Sequence, residues 1–148
     1  MIIKRSKIDE VSNKIWRLFE KHREEITTNK ELMQIKPYYD VYRSLEEKGD
    51  LIILEAFEGE ELIGYSVNFI TPHWHYADLI VCVNDLLYVE DKYRNHKAGL
   101  ALMLETEKVA KESGAKIMSW HAKEKTALAE ILKKKEYKIQ DIIFNKVL

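Results

Sequence analysis

The sequence predicts one α/β (α+β) domain, a mixed sheet with helices on both faces, in the order β-α-α-β-β-β-α-β-α-β. Three observations carry this. In the first third, Ile8, Val11, Ile15, Leu18 and Phe19 fall at steps of three and four, the spacing of an amphipathic helix. The middle is a series of strand-like segments separated by turn residues. The last third alternates helix and strand, the pattern of crossover connections onto a sheet.

Element by element, Met1–Arg5 reads as a short strand, with Ser6 or Asp9 as a helix cap. The first helix runs to about Ile26, and Thr27-Thr28-Asn29 breaks it. A second helix is expected from Lys30 through Lys48, with a kink or restart at Pro37. Leu51–Phe57 and Leu62–Ile70 flank Glu58-Gly59-Glu60-Glu61, a hairpin turn. Thr71–Tyr76 reads as a loop dense in rings. Asp78–Val89 alternates poorly, as a central strand buried on both faces does. A helix from Lys97 or Gly99 to Ser113 stops at Gly114. Strand Lys116–His121, helix Ala127–Lys135 and a final strand Tyr137–Val147 complete the order. No repeat, low-complexity tract or domain boundary interrupts residues 1–148.

Composition narrows the function classes. The 24 Lys and Arg nearly cancel the 25 Asp and Glu, so global charge points to neither nucleic acid nor an anionic membrane. The single cysteine, Cys82, excludes an intramolecular disulfide and any CxxC metal site, and it reads as a buried small hydrophobe. The run Leu79–Val89 is too short to span a bilayer. The N-terminus carries no apolar stretch of signal-peptide length, which predicts a cytoplasmic protein.

The most informative stretch is Asp85 to Met103: a strand, a tight basic loop, then a helix. A helix start presents unpaired N–H groups and a positive dipole end, a ready site for phosphate or pyrophosphate. Arg94, His96 and Lys97 add side-chain charge there, and Gly99 allows close approach. An ordinary strand-to-helix turn with solvated basic residues is the competing reading.

This segment resembles motif A of the GNAT superfamily of N-acetyltransferases, whose usual text is Arg/Gln-x-x-Gly-x-Gly/Ala opening a helix after a strand. Aligned without gaps, Arg94 matches the Arg/Gln, Gly99 the second Gly and Leu102 the following leucine. Val89 stands at the strand end, and Lys97 replaces the first Gly. A shifted register, His96-x-x-Gly99-x-Ala101, also fits. Gly64-Tyr65 resembles the family's third strand. Glu107 to Lys116 resembles its helix-Gly-strand step, and Lys133 to Tyr137 its last helix end, with Glu136 where Gly is usual. His73-Trp74-His75-Tyr76, Asp85 and Trp120-His121 are similar to features of small members often encoded by phages.

The resemblance implies acetyl-CoA as co-substrate. Arg94, Asn95, His96, Lys97, Ala98 and Gly99 would receive the pyrophosphate, Asn95 and Ala98 through main-chain N–H groups alone. Leu87, Tyr88 and Val89 would offer strand backbone to the pantetheine and the acetyl carbonyl. Leu132 stands where the family often places an acidic Tyr, and Lys125 where it places an Asn.

Acetyl transfer to an amine needs a neutral nucleophile, a donor near the developing oxyanion and a proton for the leaving thiolate. Asp85 is the candidate base, with structural pairing to a His or Tyr as the alternative. His121 is a second candidate base or a partner that holds Asp85. His73 and His75 are candidates for binding the acceptor, against ordinary loop packing. Trp74 and Trp120 are candidate pocket walls, with core packing the default. His22 reads as a helix-surface residue, or one at the acceptor mouth. No metal is expected: His73-x-His75 with Asp78 or Asp85 lacks a supporting framework.

The expected function is acetyl-CoA-dependent transfer to a primary amine on a small molecule or protein, with membrane and nucleic acid outside the expected partners and a homodimer compatible. The alternatives are a non-catalytic module of the same fold that binds CoA or a protein, and a basic-loop nucleic-acid module.

Overall fold

The computed structural model describes every residue except Glu136, and the backbone alone at Asn95 and His96. Five strands form one sheet in the order β1-β2-β3-β4-β5. They are β1 (Ile2–Ser6), β2 (Leu51–Glu58), β3 (Glu61–His73), β4 (Tyr76–Val89) and β5 (Ile117–Ser119). The first four pair antiparallel, and β5 lies parallel to β4. The helices are α1 (Ile8–Val11), α2 (Trp16–Ile26), α3 (Tyr39–Lys48), α4 (Ala98–Glu112) and α5 (Ala127–Lys134).

The sheet separates two apolar layers. On one face Ile52, Leu54, Ile63 and Cys82 pack with Ala98, Leu102 and Ala110 of α4. On the other, Leu51, Ile53, Tyr65 and Val67 pack with Ile8 and Val11 of α1, Ile15, and Leu18 of α2. Cys82 is fully buried as expected, and burial pushes its thiol up to about 11.

Several elements differ from the expectation. The first helix is broken at residues 12–15, where Ser12 and Asn13 stand; such side chains compete with the helical backbone for hydrogen bonds. The second helix exists only as α3, after Pro37, because proline has no N–H and disfavours helix at the residue before it. The segment Thr71–Tyr76 is the tip of a hairpin rather than a loop: β3 runs through His73 and β4 starts at Tyr76. The expected strand Tyr137–Val147 is not formed among the described residues, and Ile139, Ile142, Ile143 and Phe144 stand exposed. Alternation alone makes no ladder, which needs a partner strand to receive the backbone groups.

Gly64 fixes how closely β3, β4 and α4 meet. A Cβ there would lie 2.7 Å from the Tyr88 carbonyl oxygen and 3.0 Å from Val89 Cγ2. Both belong to the strand end that carries the site, so neither can yield without moving it. Gly64→Ala is expected to lower stability by about 1–3 kcal/mol, read as the urea midpoint at constant m-value.

Candidate active site

The site begins at an irregularity in β4. Val67 faces Leu86 and Asn68 faces Asn84, so Asp85 is the extra residue of a β-bulge. A buried polar cluster holds the bulge. Asn84 Nδ2 donates to Asn68 Oδ1 at 2.8 Å and, across the bulge, to the Leu86 carbonyl at 3.0 Å. Asn68 Nδ2 donates to Ser66 Oγ at 2.9 Å, and Thr106 Oγ1 of α4 donates to the same hydroxyl at 3.1 Å. All four side chains are fully buried.

Beyond the bulge β4 loses one neighbour. β5 pairs only with Val81, Cys82 and Val83, while β4 continues to Val89. Among the described residues no strand accompanies Asn84–Val89 on that side, which leaves a backbone edge open to a ligand. Leu87, Tyr88 and Val89 lie on this stretch, paired with Ser66, Tyr65 and Gly64 on the other side.

The edge leads to the loop before α4. A 3-10 turn, Asp91–His96, precedes Lys97, whose φ of 61° and ψ of 10° are left-handed. The resemblance puts Gly at that position, and the backbone adopts the conformation Gly favours. Lys97, the N-cap residue, makes no side-chain cap bond to α4, whose first turn carries the positive end of a long helix. A Cβ on Gly99 would meet only Val89 Cγ2, at 3.9 Å, so packing within the chain does not demand glycine there. The side chains of Asn95 and His96 lie outside the described residues, and so does Glu136.

Arg94 is placed differently from a free phosphate-binding cation. Its Nε donates to the Val89 carbonyl at 2.9 Å, its Nη2 to Glu25, and its guanidinium lies over the Tyr88 ring. It braces the loop against β4 and α2. Glu90 is a second brace that the sequence reading did not single out. Its carboxylate accepts from Arg17 at 3.0 Å and from Lys21, and the Arg17 hydrogen bond is the main reason its acid is pulled down to about 2.

The opposite face of the sheet carries a cavity of about 320 Å³ between β2–β4 and α1, α2, α3 and the 27–37 connection. Asp85 is at its wall, redirected there by the bulge. Asp85 is open to water on one side yet walled by protein elsewhere, and poor solvation raises its acid above the usual value; the His121 charge and the Tyr42 hydroxyl, 3.5 Å away, work against this. Tyr42 is pushed up to about 12, first by burial and then by Asp85. His121 is exposed just past β5.

His22 is not a surface residue. It is 7% exposed, Nδ1 lies 2.8 Å from the fully buried Tyr65 hydroxyl, and its ring stacks on Tyr88. Burial pulls it down to about 4, so it is neutral at pH 7. The signal for Tyr42, His22 and Tyr65 was present in part: each sits in a helical or alternating apolar pattern with a polar tip.

The other candidates lie elsewhere. His73, Trp74 and His75 form the β3–β4 hairpin tip, with Trp74 94% exposed, and they do not line the cavity. Trp120 Nε1 donates to Glu107 of α4 at 3.0 Å, so this ring is tied to the α4 layer and not to the cavity. Among the described residues no cluster of three or more His, Cys, Asp or Glu could hold a metal ion.

A family model described as "Acetyltransferase (GNAT) family" matches residues 10–131. No curated protein matches the chain in sequence. Solved structures match in fold. An aminoglycoside acetyltransferase from an uncultured soil metagenomic sample, in complex with trehalose, has a TM-score of 0.75 at 15% identity, covering 99% of this chain and 95% of its own. A ribosomal-protein-alanine N-acetyltransferase from Brucella melitensis has 0.71 at 14%, covering 100% and 99%. A transcriptional regulator from Bacillus halodurans has 0.73 at 14%, covering 99% of each chain.

The neutral His22 gives a testable linkage. Its folded value, about 4, is below the ordinary imidazole value of 6.5, so the unfolded chain binds more protons between them. Stability is therefore full above pH 6.5 and falls as pH drops toward 4, by roughly 2–3 kcal/mol for a shift of this size. Urea unfolding across that range is expected to show the slope in the native chain and its loss in His22→Gln.

Proposed function

Because the chain belongs to the acetyltransferase (GNAT) family, we propose that it transfers an acetyl group from acetyl-CoA directly to a primary amine. The observation that supports this most is the open β4 edge from Asn84 to Val89, which runs straight to the uncapped start of α4. The edge suits the amide-bearing arm of the co-substrate, and the helix start suits its pyrophosphate. Leu87, Tyr88 and Val89 supply the first; main-chain N–H groups from Lys97 to Gly99 supply the second. Gly99 fits that role because its missing side chain is not needed for packing within the chain.

Acetyl-CoA supplies the acetyl group as a thioester: a C–N bond forms at its carbonyl carbon, the C–S bond breaks, and the free thiol leaves. The residues of the chain handle protons and position. Asp85 takes one proton from the incoming ammonium, leaving a neutral nucleophile, and returns it to solvent. The second N–H proton lost by the nitrogen balances the proton the thiolate gains. His121 lies near enough for its charge to favour the ionised form of Asp85, which fits a supporting role. Arg94 acts through the loop, holding it against Val89 and Glu25.

Leu132 of α5, where the resemblance expects a tyrosine acid, favours a second reading, a CoA-binding module without turnover. A CoA thiol leaves readily without a dedicated acid, so direct transfer needs no tyrosine there.

Thermal melts test the reading. Acetyl-CoA or CoA at about a hundred times its Kd adds roughly 2.7 kcal/mol, or roughly 5–10 °C in a domain of this size. ATP at the same concentration is expected to add far less. No shift with millimolar acetyl-CoA would remove the proposal. Given a shift, thiol release with an amine separates turnover from binding. Asp85→Asn is expected to cut that rate by about 10²-fold or more and to abolish an acid limb that lies above ordinary carboxylate values.

A further inference from the structure

The lining of the α1–α3 cavity is sorted by chemistry. Most of it is aliphatic or aromatic, including Val11, Ile15, Phe19, Ile53, Val67 and Leu86. Its volume, about 320 Å³, is in the small-molecule range, so it can take a body of modest size. Asp85 is the sole carboxylate among the lining residues. The other charged lining residues are cations, Arg23 and Lys36.

These cations do not both stay free. Arg23 Nε donates to the Met33 carbonyl at 3.0 Å, Nη2 to the Lys30 carbonyl at 2.6 Å, and Nη1 pairs with Glu24. Arg23 thus ties the 27–37 connection over the cavity as a roof. Lys36 stays exposed on that connection. The interior hydroxyl and imidazole groups are neutral, with His22 and Tyr65 bonded to each other.

Charge therefore discriminates among amines. A polycation would bring several ammonium groups to one carboxylate and two cations, so any further ammonium held against the apolar wall would lack a partner. A single ammonium on an apolar body meets Asp85 with its charge and the aliphatic and aromatic wall with its body. Asp85 is on the bulge where β4 leaves β5, so an amine held there sits at the mouth of the open edge.

We propose that the cavity is the acceptor site and that it selects monoamines carried on an apolar or aromatic body, with Asp85 as the ammonium anchor. This rests on the acetyl-transfer reading for its purpose, but its binding chemistry can be tested apart from it.

Calorimetry without acetyl-CoA uses three probes: 2-phenylethylamine, its uncharged counterpart 2-phenylethanol, and spermidine. 2-Phenylethylamine is expected to bind tightest. Asp85→Asn is expected to weaken it about tenfold or more and to leave 2-phenylethanol unchanged. Ser12→Phe, at a half-buried lining position, is expected to weaken both aromatic probes by filling the cavity. Spermidine binding more tightly than 2-phenylethylamine overturns the proposal. So does no binding of either aromatic probe at millimolar concentration, or an amine affinity indifferent to Asp85→Asn. A melt shift with acetyl-CoA alongside any of these leaves acetyl transfer standing and removes only the acceptor class; amine binding with no melt shift does the reverse.

Discussion

A central strand can leave its neighbour only if the backbone groups it releases find other partners, since each one orphaned in a dry interior costs about 1–3 kcal/mol. Asn84 meets that condition for one carbonyl at the bulge in β4, while the edge beyond it stays open. Its amide donates back to the Leu86 carbonyl on the far side of the bulge and sideways to Asn68, while Ser66 and Thr106 complete the cluster against α4. The proposed site is built around this buried knot. It displaces Asp85 from the ladder, so the carboxylate reaches the cavity face. It coincides with the point at which β5 stops following β4, so the edge beyond opens.

Helix α2 links the two halves of the site through two stripes. Arg17, Lys21 and Glu25 recur every four residues and grip the end of β4 and the loop, through Glu90 and Arg94. Ile15, Phe19, His22 and Ile26 recur at steps of three and four and line the cavity. Residues at these spacings share a helix face, and the two sets are offset around the axis. The helix that walls the proposed acceptor cavity therefore also sets the position of the loop proposed to hold phosphate. The ionic stripe is half exposed at its cationic end, but its acceptor, Glu90, is buried, and a buried carboxylate served by two cations has little freedom to move.

The sequence made much of this legible, for identifiable reasons. The apolar spacing of α2, the turn at Gly59, the stop at Gly114 and the strand-loop-helix text from Val89 to Leu102 are local signals, and local physics decides them. Asp85 was legible as a carboxylate in a central strand. The bulge that aims it was not, because bulges depend on which residue faces which across two strands. His22 shows the same limit: its helix position marks it as amphipathic, but only Tyr65 and Tyr88, from two strands, bury it. Arg94 is legible as a basic residue beside a helix start, a position that suggests a ligand-facing cation. Its partner Glu25 lies far away in sequence, and nothing local announces the pair. The strand signal of Tyr137–Val147 failed for the converse reason, since alternation predicts a strand only where an edge receives it.

An amine on the proposed path meets two opposing demands, and the cavity answers both with one feature. The amine arrives as ammonium and must be attracted, which needs a carboxylate. It must then become neutral, which a strong ion pair would resist. Poor solvation reconciles the two: it raises the acid of Asp85 and lowers that of a bound ammonium, because it penalises both charged forms. Their proton affinities move toward one another, which lowers the cost of moving the proton between them. More carboxylates would attract more strongly, but they would hold the ammonium charged. Acetylation then removes the charge that Asp85 recognised, and the neutral amide keeps only the apolar contacts, so the group that captures the substrate gives up its hold on the product.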